Sequence, residues 1–468
     1  MRTSSMLFMP FVAFFGLVSA RSATGDRVLV VLESAVTKDD YSQFWNSLQQ
    51  RGFELTFKEP ESKDADLVKF GEAQYDHLIM FAPTAKNFSP SISPKAILDS
   101  QFKGLNALYI LSPQLPEVQR EHLREYDLEF IPSDLVLIDS FSHPSGESAS
   151  TVLLPPTECA VSNGAVLSDT TLTGGPIAYP SGTVHSAGLN PYLIDVLHAP
   201  KKSYIGQDKI LNADEIEREK AVDGKKSKDA LQTGKKASLV SALQTRDNAR
   251  AGFVGSGEVF SDKYWGQTVE TIDGKKVETG NAAFVTDFTK WVFQETGVIK
   301  VVSTTHFREG ETEPREMYTK KDDITYSLTL AQHVTNGNGT SSWGPFYADD
   351  IQMDFTMLDP HIRTAMIEDK SSSSADATTY KARFIAPDRH GVFKFAVEYW
   401  RPGWSYIRTS STASVVPLRH DEYPRFITGA WPYYIAAIST SVTFLAFVAI
   451  WLSLGEVDKD RKGKKKAE

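Results

Sequence analysis

The 468-residue sequence contains a single cysteine, Cys159, so no internal disulfide can form. This excludes a small secreted domain stapled by disulfides, and the chain must hold itself together by packing. Cys159, in the run PPTECAV, reads as a small buried hydrophobe, with an intermolecular bridge as the alternative. Positive charge is also in deficit: 50 Lys and Arg against 59 Asp and Glu leave a net charge of −9. No basic stripe occurs before the last residues, so nucleic acid is not an expected partner.

Catalytic motifs are missing as well. There is no H-E-x-x-H, no metal-spaced cysteine pair, no Walker A run and no G-x-S-x-G elbow. The histidines show no spacing that suggests a shared metal. Asp64-Ala65-Asp66 matches the D-x-D of many nucleotide-sugar transferases, but it lies in a polar stretch (EPESKDADL) where carboxylates are expected as solvated surface. Gly252, Gly255 and Gly257 follow a strand pattern and read as a tight turn rather than a ligand cradle. No catalytic residue, metal or cofactor is expected.

Long apolar runs occur only at the two ends. Met6 to Val18 follows the basic Arg2 and precedes Val18-Ser19-Ala20, the pattern of a secretory signal covering residues 1–20. Tyr433 to Leu454 carries no charge and, as a helix, is about 33 Å long, enough for the hydrocarbon core. Trp431, Tyr433, Tyr434 and Trp451 flank it as interfacial rings do. Residues 431–454 are therefore expected to be a transmembrane helix. Residues 455–468 would be a cytosolic basic tail by the positive-inside rule, with the bulk of the chain lumenal or extracellular. Lys465 and Lys466, fourth and third from the C-terminus, resemble a dilysine retrieval signal, with chance in a lysine-rich tail as the alternative. Ala436, Ser439, Thr440, Thr443 and Ala446 share one side of the helix. They form a candidate docking face for another membrane helix, unless the hydroxyls only bond back to their own backbone.

Between the ends, the period of the hydrophobic pattern divides the chain. Residues 21–300 alternate strand and helix signals: RVLVVLE at Arg27, a capping box at Thr37 to Asp40 opening a helix through Phe44, Trp45 and Leu48, then buried runs at His77 and Ala107. This is the alternation of an α/β domain with a largely parallel sheet. A charged stretch near 206–236 reads as a surface insertion. The helix from Asn281 is expected to end on Gly297 as its C-terminal cap. Residues 301–425 switch to period two, as in Ile324, Tyr326, Leu328 and Leu330, and predict an antiparallel β-sandwich. Two sequons occur, at Asn87 and Asn338.

The chain resembles, over almost its whole mature length, the 48 kDa non-catalytic subunit family of the eukaryotic oligosaccharyltransferase complex. The resemblance is carried in order by RVLVVLES, YDHLIMFAP, LNPYLIDVL, ARAGFVGSGEVFSDKYW, FTKWVFQETGVIKV, WGPFYADDIQMDFTMLDPHIRT, GVFKFAVEYWRPGWSYI and VVPLRHDEYPRFI. It implies a complex that transfers a preassembled oligosaccharide from dolichyl diphosphate to Asn in N-x-S/T sequons in the endoplasmic reticulum. It also implies partners among the other subunits, including a multi-spanning one that holds the catalytic site. The N-terminal domain would be amidotransferase-like or flavodoxin-like without a nucleophile. Residues alone also allow a type I receptor or chaperone-like interaction protein, or a carbohydrate enzyme using Asp64 and Asp66.

Overall fold

The computed structural model describes residues 21–133, 135–161, 165–206, 234–272, 274–335 and 340–464, with side chains described through Leu454. The expected signal at 1–20, most of the charged stretch near 206–236, Asn338, Lys465 and Lys466 lie outside the described residues.

The first half is built on a nine-stranded sheet. Its labelled elements are β1 (Arg27–Leu32), α1 (Ser42–Gln50), β2 (Glu54–Lys58), β3 (His77–Phe81), α2 (Pro94–Gln101), β4 (Asn106–Ile110), α3 (Glu117–Arg124), β5 (Leu128–Phe130), β6 (His185–Ala187), β7 (Leu193–His198), β8 (Ser238–Gln244), β9 (Arg250–Val254) and α4 (Asn281–Val292). The strand order is 2-1-3-4-9-8-6-5, with β7 also pairing β8. Strands 2, 1, 3, 4 and 9 run parallel. The remaining pairs are antiparallel.

The unbroken apolar run of β1 follows from cover on both faces. Val28 and Val30 enter one core with Phe44, Trp45, Leu48, Phe284 and Phe288. Leu29 and Val31 enter another with Ile97 and Leu123. Helices α1 and α4 therefore cover one face and α2 and α3 the other, and successive β1 residues alternate between them.

Helix α1 is not opened by its own capping box. Thr37 makes no side-chain cap bond, and Lys38–Tyr41 forms a short 3-10 turn. Instead the distant Asp262 caps the helix: its carboxylate accepts from Ser42 N (3.0 Å), Ser42 Oγ (2.6 Å) and Gln43 N (2.9 Å). Helix α4 also departs from expectation. It ends at Val292, and Gln294 rather than Gly297 takes the first left-handed turn, with φ 57°. Gly297 is needed for another reason: a Cβ there would lie 2.3 Å from Gly403 O.

The second half contains two five-stranded sheets. Its labelled strands are β10 (Ile299–Arg308), β11 (Met317–Thr319), β12 (Asp323–Thr335), β13 (Ser341–Pro345), β14 (Gln352–Thr356), β15 (His361–Ala365), β16 (Ile367–Glu368), β17 (Thr378–Ile385), β18 (Gly391–Tyr399) and β19 (Ile407–Val416). One sheet has the order 10-12-17-16 with β13 on β12, and the other 11-19-18-14-15. They share one core, in which Tyr326 of the first stacks on Phe395 of the second at 5.3 Å. The period-two residues Ile324, Tyr326, Leu328 and Leu330 all point into it. One pair breaks the antiparallel expectation: β11 runs parallel to β19. The final helix, α5, spans Trp431–Lys464.

Candidate functional site

The structure separates most of the residues that looked chemically suggestive. Asp64 is exposed, whereas Asp66 is half-buried and accepts from the Ser91 hydroxyl, so the two carboxylates do not converge. Cys159 is fully buried in the first core, and burial pushes its thiol up to about 12, far from a nucleophilic thiolate. Gly252 is a β9 residue, not a turn residue. A side chain there would press on Val292 and Phe288 of α4 within 2.9 Å, and one on Gly255 would meet Tyr179 Oη at 2.3 Å. These glycines let a helix and a tyrosine pack onto the sheet. Among the described residues, no group of three or more His, Cys, Asp or Glu could hold a metal.

Of the two sequons only the first is described. The Asn87 side chain is exposed on the loop after β3, while Ser89 is buried and donates its backbone N–H to Pro60 O at 2.8 Å.

What the fold does assemble is a rigid joint between the two halves. Arg250, at the start of β9, is 1 % exposed. Its Nη1 donates to Trp291 O and Thr296 O, and its Nη2 to Gly297 O, each at 2.7 Å. Burial lowers its pKa to about 9, which still leaves it charged at neutral pH. Trp291 then crosses to the second half, donating Nε1 to Gly403 O at 2.8 Å. Gln244 donates to Trp404 O at 2.7 Å. Asn248 pairs with both the N–H and the carbonyl of Tyr406. Side chains of the first half thus satisfy main-chain groups of the 403–406 loop, which fixes the loop without needing any particular side chain there. A second buried contact, Arg51 to Glu295 at 2.7 Å, ties α1 to the segment after α4.

Comparison with known proteins gives the assembly a lineage. The OST48 N-terminal domain family matches residues 19–295, and the OST48 middle domain family matches residues 306–455. The chain belongs to the OST48 family. It is 30 % identical over 444 residues to a zebrafish (Danio rerio) protein named dolichyl-diphosphooligosaccharide–protein glycosyltransferase 48 kDa subunit, covering 94 % of each chain. An Arabidopsis thaliana protein of the same name is 32 % identical over 454 residues, covering 96 % of this chain and 97 % of that one. A Schizosaccharomyces pombe relative, named dolichyl-diphosphooligosaccharide–protein glycosyltransferase subunit wbp1, is 32 % identical over 415 residues, covering 88 % and 89 %.

In this OST48-family chain, Thr428–Leu454 is long and apolar enough to cross a bilayer, with mean hydropathy 2.1, and its most apolar stretch is wholly unburied. Its hydroxyls are bonded to their own helix: Ser439 and Thr440 donate to Ala436 O at 3.0 and 2.8 Å, and Thr443 donates to Ser439 O at 2.8 Å. Back-bonding hides the polar hydrogens, so what this side presents is its small volume, together with Ala436 and Ala446.

Proposed function

We propose that this chain is a non-catalytic, structural subunit of the oligosaccharyltransferase complex of the endoplasmic reticulum, which transfers a preassembled oligosaccharide from dolichyl diphosphate to Asn in N-x-S/T sequons of nascent proteins. The observation that carries this reading is the match to the zebrafish and Arabidopsis relatives over at least 94 % of both partners, together with a middle-domain family match that runs to residue 455 and so takes in the membrane helix. The catalytic site belongs to a multi-spanning partner subunit. This chain contributes a lumenal α/β domain, a lumenal strand-rich domain and one membrane helix.

The parallel order 2-1-3-4-9 supports an amidotransferase-like or flavodoxin-like ancestry for the first domain. The apolar helix and the lysine-rich tail support a type I orientation, with 455–468 cytosolic and Lys465 and Lys466 as its retrieval signal. The small side of the helix, Ala436, Ser439, Thr440, Thr443 and Ala446, is the intramembrane docking face.

Affinity purification in a mild detergent is the test. A stoichiometric multi-subunit membrane complex, with under-glycosylation of many secretory proteins after depletion, is the expected result. Recovery of the chain alone from a cell that glycosylates normally after depletion would overturn the reading and favour a free-standing receptor or chaperone.

A further inference from the structure

Where the halves meet, the joint leaves a cleft of about 360 Å³, in the size range of small-ligand sites. One wall is the first half: the loop Ala165–Ser168, then Asp287 and Lys290 of α4 and the following Glu295–Gly297. The other wall is the end of β12, Gln332–Thr335, with Trp404. The cleft is pre-formed, because Gly297 and Gly403 meet too closely for any side chain between them and Ser405 N–H donates to Gly297 O at 2.9 Å.

Hydrogen-bonding capacity here is left over, which is unusual for a buried or half-buried surface. Glu295 is fully buried; Arg51 takes its Oε1, and its Oε2 has no partner among the described residues. Thr335 Oγ1 is also buried and has no partner among the described residues. The Lys290 ammonium and the Gln332 amide make no hydrogen bond or ion pair with the described residues. Beside these groups stands the Trp404 indole, supported by Phe346 at 5.2 Å between ring centres.

We propose that this cleft is a carbohydrate subsite, holding a neutral oligosaccharide unit against the Trp404 ring. Three observations select that class. Both charge signs line the cleft, Lys290 against Asp287 and Glu295, so a net charge on the ligand is not called for. The unpartnered groups are a mixture of hydroxyl, amide, carboxyl and ammonium, which matches a polyol that both donates and accepts at every position. The backbone of β12 is already paired on both sides here, Gln332 with Ile299 and with Gly344, so an extended peptide finds no strand edge to join.

The site is a property of this chain, so it is tested on the purified full-length protein in nanodiscs, whatever complex the chain joins. N,N′-diacetylchitobiose and mannotriose are titrated separately, followed by saturation-transfer NMR and tryptophan fluorescence. Saturable binding of at least one sugar in the millimolar range or tighter is expected. Trp404→Ala and Gln332→Ala should each weaken it about tenfold or more. Trp451→Phe in the membrane helix should leave it unchanged, and the tripeptide Asn-Ala-Thr should not compete. Should Trp404→Ala misfold, Gln332→Ala and Lys290→Met carry the comparison, because neither side chain has a partner to lose among the described residues. The proposal is overturned if neither sugar saturates at about 50 mM. It is equally overturned if folded cleft variants bind like the parent, or if the tripeptide displaces the sugar.

Discussion

The Arg250 guanidinium lies over the Trp291 indole, 4.6 Å from its centre, while the other end of that indole donates to the second half of the chain at Gly403. One cation thus orients the ring that joins the two halves and also collects the carbonyls where α4 gives way to β10. Its charge is dispersed over main-chain dipoles instead of being matched by a carboxylate.

Arg250→Met should therefore cost about 3 kcal/mol or more, because three charge-assisted bonds to main-chain carbonyls are lost together, although Trp291 O and Gly297 O each keep a backbone donor. Arg250→Lys should recover little, since an ammonium cannot reproduce the planar fork. Thermal unfolding of the purified chain gives the magnitude. Hydrogen exchange at Ser405, whose N–H bonds Gly297 O, reports whether the joint loosens before the halves unfold.

Three buried histidines make stability depend on acid. Burial lowers His77 and His122 to about 4 and His185 to about 3, from an ordinary 6.5. The unfolded chain takes up these protons first, so the stabilisation is complete above pH 6.5 and is lost as pH falls through 6.5 toward 4. His122 bonds Tyr109 Oη through Nε2, and its Nδ1 has no partner among the described residues. His122→Gln should flatten the decline by roughly 2 kcal/mol over that window, measured as denaturant midpoint against pH. An equally steep decline in the variant would show that this histidine is not a source.

The Asn87 sequon offers its asparagine to solvent but buries its serine, so an enzyme that reads both residues meets them only before the loop folds. Asn87→Gln should remove one glycan-sized step in gel mobility from protein made in cells. Folded, unglycosylated protein should remain unmodified at this position in vitro. Modification of the folded form would contradict the ordering.

The helix α5 separates volume from polarity. Thr440→Val deletes a hydroxyl that already bonds Ala436 O, and should leave co-purification of partners unchanged. Ala436→Phe fills the small face and should reduce partner recovery at least severalfold, while expression and membrane insertion persist. Equal recovery from both variants would remove this face from the docking surface.

The sequence pattern reads well wherever one segment settles its own fate. Buried strands such as β1 and β3 are continuous apolar runs, and the second half announces itself by alternation at Ile324 to Leu330 and at Phe393 to Tyr399. It reads poorly wherever the decisive partner is remote. Thr37 looked like a cap, yet the carboxylate that caps α1 is Asp262, more than 200 residues away in sequence. Gly252 and Gly297 looked like turn and cap glycines, yet each is small because something from elsewhere packs onto it. The cleft had no local signature: its walls come from four separate stretches, and its most informative atom, Glu295 Oε2, is defined by having no partner among the described residues. Arg250, in ARAGF, resembles any surface arginine until the sheet closes around it.

Strand β9 lies between β4 and β8, although more than a hundred residues of chain separate it from β4. During synthesis β4 emerges early and then waits with one backbone edge open and both faces apolar. At about 5–20 residues per second that wait lasts roughly 7 to 28 seconds. An open strand of this kind pairs readily with a neighbouring nascent chain. The interval before Arg250–Val254 arrives is thus the point in the protein's life when misassembly is most damaging, and it is where protection by a chaperone would decide the yield.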